Sequence, residues 1–217
     1  MKNRLPTLFI AFTVLAMAAL ACNLPALGNR PLFEDDFSKT DSWGTGTDTD
    51  SSVEYDSGTL HMKVFTGNYI VWSTPKTDPF ENVHIEVTVK NNNSDPFTAF
   101  AIICNLQDVV DSFYYLGITP DGHYAIARKP LGGESEYLTE NAKWETSDKI
   151  KQNADSYRLG ADCGNGTLTL YADGQQIGSA KDTTYTSGLV GLLLWSDEQV
   201  KTVDATYDDF VVTKLGK

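Results

Sequence analysis

From Ala99 to Lys129 the chain reads AFAIICNLQDVVDSFYYLGITPDGHYAIARK, three runs rich in β-branched and aromatic residues. The polar or glycine-containing breaks between them leave no room for a helix, so the pattern predicts a meander of three consecutive strands. In the first run Phe100, Ile102, Cys104 and Leu106 alternate with Ala101, Ile103 and Asn105. Both faces are then largely apolar, which places this strand inside a sheet and not at its edge. Thr119-Pro120-Asp121-Gly122 supplies the turn that joins Tyr114–Thr119 to His123–Lys129. Proline presets φ, aspartate bonds locally and glycine accepts positive φ.

Elsewhere, Val83–Lys90 shows the cleanest alternation. Val83, Ile85, Val87 and Val89 face one way, while His84, Glu86, Thr88 and Lys90 face the other. One face is predicted to be core and the other wet. Val53–Tyr55 and Thr59–Phe65 predict a hairpin around Asp56-Ser57-Gly58, and Tyr157–Cys163 and Thr167–Ala172 another around Gly164-Asn165-Gly166. With Tyr69–Ser73, a short Tyr137–Thr139, Gln175–Ser179, Gly188–Ser196 and Ala205–Leu215, the set comes to about twelve strands. Asn141–Gln152 has the only helical colour, too weak to predict a helix. The expected fold class is all-β, an antiparallel two-sheet sandwich of the jelly-roll kind with no internal repeat and no second domain.

The first residues change the cellular picture. Lys2 and Arg4 precede an almost uncharged apolar segment, Leu5–Ala21, that ends in small residues, which reads as an export signal. Ala19-Leu20-Ala21-Cys22 resembles the bacterial lipobox, with Ala19 where leucine is usual. The resemblance implies lipidation of Cys22 as the new N-terminus and an anchor on the outer side of a bacterial membrane. The expected organisation is a signal peptide over 1–21, a Pro- and Gly-containing tether over 22–32 and one sandwich domain over 33–217. Without Lys2 and Arg4, the 17 basic residues fall to 15 against 29 acidic ones, which excludes nucleic acid as a partner. The cysteines remaining after lipidation are Cys104 and Cys163. An oxidising compartment allows them to pair, the alternative being two buried free thiols.

Four short stretches carry a family resemblance. Phe33-Glu-Asp-Asp-Phe37 followed by Trp43, the Asp56-Ser-Gly-Thr-Leu60 hairpin, Leu168-Thr-Leu-Tyr-Ala-Asp-Gly174 and the closing Tyr207-Asp-Asp-Phe-Val-Val212 resemble the concanavalin A-like lectin and glucanase superfamily. This superfamily includes laminin-G-like modules, family 16 glycoside hydrolases and three-keto-disaccharide hydrolase domains. The resemblance implies two curved sheets with sugars lying across the concave one. It also implies a structural calcium between the first and last strands, with a side-chain oxygen from Asp208 and main-chain oxygens from Asp36 and Gly58.

Catalysis finds less support. Family 16 enzymes carry a Glu-x-Asp-x-x-Glu strand, because retaining cleavage needs two carboxylates about 5 Å apart. The nearest stretch here, His84-Ile-Glu86-Val-Thr88, supplies a single carboxylate. His61, His84 and His123 have no metal-ligand spacing. The expected function is therefore a non-catalytic module that binds a glycan, such as a cell-envelope polysaccharide. Tyr69, Trp72, Tyr114, Tyr124 and Trp195 offer aromatic rings to stack on sugar faces, and Arg128 a hydrogen-bonding partner. Tyr114 and Arg128 are expected as an outward pair, with Phe113 and Tyr115 filling the opposite face. Trp72 and Trp195 are expected beside them, and Glu86 joins them if the wet face of its strand is concave. The alternatives are a protein-interaction module of the cell envelope and an enzyme of the three-keto-disaccharide hydrolase type.

Overall fold

The computed structural model of the chain describes residues 30–93, 95–107, 112–199 and 202–216. Among them there is no helix. The strands are β1 (Phe33–Asp35), β2 (Gly46–Thr47), β3 (Ser51–Asp56), β4 (Thr59–Val64), β5 (Tyr69–Ser73), β6 (Val83–Asn91), β7 (Ala99–Gln107) and β8 (Ser112–Ile118). There follow β9 (His123–Lys129), β10 (Glu136–Tyr137), β11 (Glu145–Thr146), β12 (Ser156–Gly164), β13 (Thr167–Ala172), β14 (Gln175–Lys181), β15 (Leu189–Ser196) and β16 (Val203–Lys214). The proposed signal segment, and Cys22 with it, lies outside the described residues.

The strands form two antiparallel sheets. One has nine strands in the order β14-β13-β12-β6-β16-β4-β3-β2, with β1 also on β16; the other has seven in the order β10-β9-β8-β7-β15-β5, with β11 also on β9. The first and last strands thus lie side by side, with Phe33 opposite Val212. The meander β7-β8-β9 forms as expected, and β7 lies inside its sheet between β8 and β15. Its turn closes with the Gly122 amide on the Thr119 carbonyl at 3.0 Å, and Gly122 takes φ +95°. The weakly helical stretch holds only the two-residue strand β11, which pairs with His123 and Tyr124.

The core lies between the sheets. Val83, Ile85, Val87 and Val89 of β6 face Phe100, Ile102, Leu116 and Leu192 from the other sheet, all of them buried. A covalent tie and a polar one cross it. Cys104 on β7 is bonded to Cys163 on β12, with the Cα atoms 6.5 Å apart. The expectation of a pair is met, and the bond joins the two sheets. Tyr207 of β16, fully buried, donates its hydroxyl to the Leu193 carbonyl of β15 at 2.9 Å.

Candidate functional site

The outer faces of the two sheets are built from different residues. On the nine-stranded sheet, the positions between the core residues of β6 and β12 carry charge. His84 Nδ1 lies 2.6 Å from Asp162 Oδ1, Tyr171 donates to Asp162 Oδ2 at 2.8 Å, and Arg158 donates to Glu86 at 3.1 Å and to Thr88 at 3.1 Å. The bond to Asp162 is the main reason that the His84 imidazole holds its proton above the usual range. Each of these groups is engaged by a neighbour.

On the seven-stranded sheet, the outward positions are apolar. Ala101, Ile103, Phe113, Tyr115, Ala127 and Leu193 form a second cluster of buried side chains, separate from the main core. Ala125, Gly117, Ala101, Leu193 and Trp72 stand in one row across β9, β8, β7, β15 and β5. The small side chains at the start of this row are enforced at Gly117, where a Cβ would come within 2.7 Å of the Ala101 Cβ.

Segment 130–146 arches over this floor. β10 and β11 hold it to the outer edge of β9, yet Trp144 stacks on Trp195 of β15 at a centroid distance of 6.1 Å and 20° between planes. The Trp144 indole N–H donates to the Tyr137 hydroxyl at 3.1 Å, which fixes the ring. Two clefts adjoin the stacked pair, and both tryptophans line each of them. The larger, about 380 Å³, is bounded by Asn68, Ile70, Tyr115, Lys129, Glu134 and Tyr137 among others. The smaller, about 210 Å³, is bounded by Phe97, Thr119, Asp121, His123 and Asp197. Together they are of the size of a small-ligand site. Burial drives the Tyr115 hydroxyl far above its ordinary range, so it is a neutral hydrogen-bonding group there.

The expected ligand residues divide between these regions. Trp195 is in the site. Trp72 is on the same outer face, 39% exposed and packed on Phe113 at 6.0 Å, to one side of the clefts. The outward Tyr114–Arg128 pair is corrected. The two residues are opposite each other, but on the inner face, and Tyr114 is completely buried. Its hydroxyl donates to Asp182 and accepts the Tyr185 amide at 3.0 Å, while Arg128 is held by Asp182, Glu136 and Thr184. Burial and the Asp182 bond push the Tyr114 hydroxyl up to about 12. Phe113 and Tyr115 take the outward positions instead, and the inner side supplies Asp182 and the Tyr185 amide to the Tyr114 hydroxyl. Glu86 is also corrected: it is on the outer face of the other sheet. Tyr69 and Tyr124 pack against the core between the sheets.

Of the residues expected for calcium, Asp36 follows Asp35, which pairs with Phe210 of β16, while Asp208 follows Tyr207, which pairs with Leu60 of β4, two residues after Gly58. The pairing of β16 with β6 is irregular between Asp208 and Val211, and Asp209 takes φ +51°. The donor set is one aspartate with main-chain oxygens, which suits a hard cation. No group of three His, Cys, Asp or Glu converges among the described residues.

Sequence reasoning missed Trp144, Tyr137 and Phe97. The available signal was an aromatic residue isolated in a polar stretch, as in Asn141-Ala-Lys-Trp144-Glu-Thr and Ser94-Asp-Pro-Phe97-Thr.

The chain has the concanavalin A-like jelly-roll fold, which solved structures similar to it share. A carbohydrate-binding module from Bacillus subtilis matches 81% of this chain and 98% of its own at 12% identity, with a TM-score of 0.61. A Bacillus licheniformis β-glucanase matches 88% and 100% at 14% identity, with a TM-score of 0.61. A Bacillus subtilis protein with a galectin-like fold matches 85% and 96% at 12% identity, with a TM-score of 0.62. No family model matches the chain, and no curated protein matches it.

Proposed function

We propose that the protein is an exported, lipid-anchored, non-catalytic module that holds a glycan across the outer face of its seven-stranded sheet. The observation that carries this reading is the Trp144–Trp195 stack with a cleft on either side. Sugar rings present apolar C–H faces that stack on such rings, while rim hydroxyls and amides bond their hydroxyl groups. Likeness in fold to a carbohydrate-binding module and to a β-glucanase supports a sugar as the ligand class. The non-catalytic part rests on the sequence, where the stretch nearest to a paired-carboxylate strand supplies Glu86 alone, and on the apolar floor of Ala101, Ile103, Tyr115, Ala127 and Leu193, with Glu134, Asp121 and Asp197 lining the clefts around it. Asp121, at the rim, is bonded by both Thr119 and His123. Export and the lipid on Cys22 rest on the leader sequence, and a cell-envelope polysaccharide is then the glycan within reach.

The proposed calcium would be structural, tying β1 and the β3–β4 turn to β16 through Asp208, Asp36 and Gly58. A glycan array probed with the protein, with and without a chelator, tests both parts. Reproducible binding to a glycan class is expected, with a lower melting temperature on chelation. A blank array from folded protein would overturn the glycan reading, and an unchanged melting temperature would overturn the ion.

A further inference from the structure

The two clefts beside the tryptophan stack differ in charge. The larger has Lys129 and Glu134 together on its wall, so its charges balance. The smaller is lined by the rings of Phe97, Trp144 and Trp195 and by the carboxylates of Asp121 and Asp197, with neither lysine nor arginine among the described residues that line it. Among the described residues its other titratable group is His123, whose Nδ1 lies 2.8 Å from Asp121 Oδ2.

Asp121 stays ionised. Burial works to raise its pKa, but the hydrogen bonds from Thr119 and His123 outweigh burial and hold it below the usual carboxylate range. Asp197 accepts the Gln199 amide at 2.9 Å, and a carboxylate has room for further bonds. Phe97 is 46% exposed at the mouth. The face of an aromatic ring is its negative side, so rings and carboxylates favour the same kind of ligand, a cation.

We propose that the smaller cleft is a subsite for a protonated amino group, so that the groove prefers glycans built from amino sugars with free amines over neutral or N-acetylated ones. This rests on the glycan-binding reading of the groove. The sugar ring lies on the Trp144–Trp195 platform, and its ammonium group sits between Phe97 and the Asp121 and Asp197 carboxylates. An N-acetyl or hydroxyl group at that place brings no charge to meet them.

Calorimetric titration of the protein with three β-1,4-linked oligosaccharides of equal length, made of glucosamine, N-acetylglucosamine or glucose, tests the proposal. The glucosamine oligomer is expected to bind about tenfold more tightly than either of the others, as one partly desolvated cation–π and carboxylate contact would give. The preference shrinks as salt is raised. Asp197→Asn brings the three affinities together, and Phe97→Leu, which keeps the apolar bulk but removes the ring face, narrows the gap in the same direction. Equal affinities in the native protein would overturn the cation subsite and leave the glycan reading standing. Choline, a cation without a sugar ring, is the remaining arm: if it binds in an Asp197-dependent way and no oligosaccharide does, both readings fail.

Discussion

The outer faces of the two sheets spend their side chains differently. On the nine-stranded sheet, His84, Asp162 and Tyr171 bond to one another and Glu86 bonds to Arg158. These groups are already matched to one another, and a ligand would have to displace their bonds. The seven-stranded sheet has few polar groups and leaves aromatic surface open beside two clefts. A binding face is recognised by what its groups have not yet satisfied, and by that measure the less polar face is the better site.

Both faces depend on the sheets staying together, which gives the largest expected effect. The Cys104–Cys163 bond spans a sequence separation of 59 residues. Its loss should cost about 4 kcal/mol by the chain-entropy account. Chemical denaturation of Cys104→Ala measured against the native protein reads this directly.

Next is the open face. Trp195→Ala or Trp144→Ala should weaken glycan binding about thirtyfold, the effect of about 2 kcal/mol from a central aromatic anchor. Titration with an array-identified glycan measures it, and melting temperature serves as the control. An equal loss in Glu86→Gln would break the contrast between the faces.

The closed face should respond in stability and not in binding. Asp162→Asn removes the partner that raises the His84 pKa, at a cost of about 1 kcal/mol. Because that pKa is raised in the folded protein, its stabilisation is fully present below the ordinary histidine value of about 6.5 and fades as pH rises through the folded value. Melting curves across pH should show the variant furthest below the native protein at mildly acidic pH and converging with it in alkali. The smallest effect is expected for Glu86→Gln, a partly exposed change within about 0.5 kcal/mol in a denaturant titration.

The fold was legible where a local rule decided the matter. The alternation in β6 assigned its faces correctly, and Pro120, Asp121 and Gly122 marked their turn because their backbone preferences act without help from distant residues. β8 shows the opposite case. In Ser112-Phe-Tyr-Tyr-Leu-Gly-Ile118 both sets of alternate positions are apolar or aromatic, so periodicity located the strand but not its inner face. That choice was made by Asp182 and the Tyr185 amide, which bond the Tyr114 hydroxyl from some 70 residues away in the chain. β2, β10 and β11 have two residues each, too short to show a period. The candidate site was half legible. Trp195 falls in an evident strand, whereas Trp144 reaches it from a polar loop whose path depends on pairing with β9.

The central claim, that a glycan lies on the Trp144–Trp195 face, is tested most directly by the indole N–H signals of the four tryptophans in a nitrogen–proton correlation spectrum during glycan titration. Trp43, buried and bonded through its indole to Asp35, serves as the internal reference. The account predicts that the Trp144 and Trp195 signals move the most, in proportion to saturation, while that of Trp43 stays in place. Saturable binding that leaves the Trp144 and Trp195 signals unmoved would contradict it.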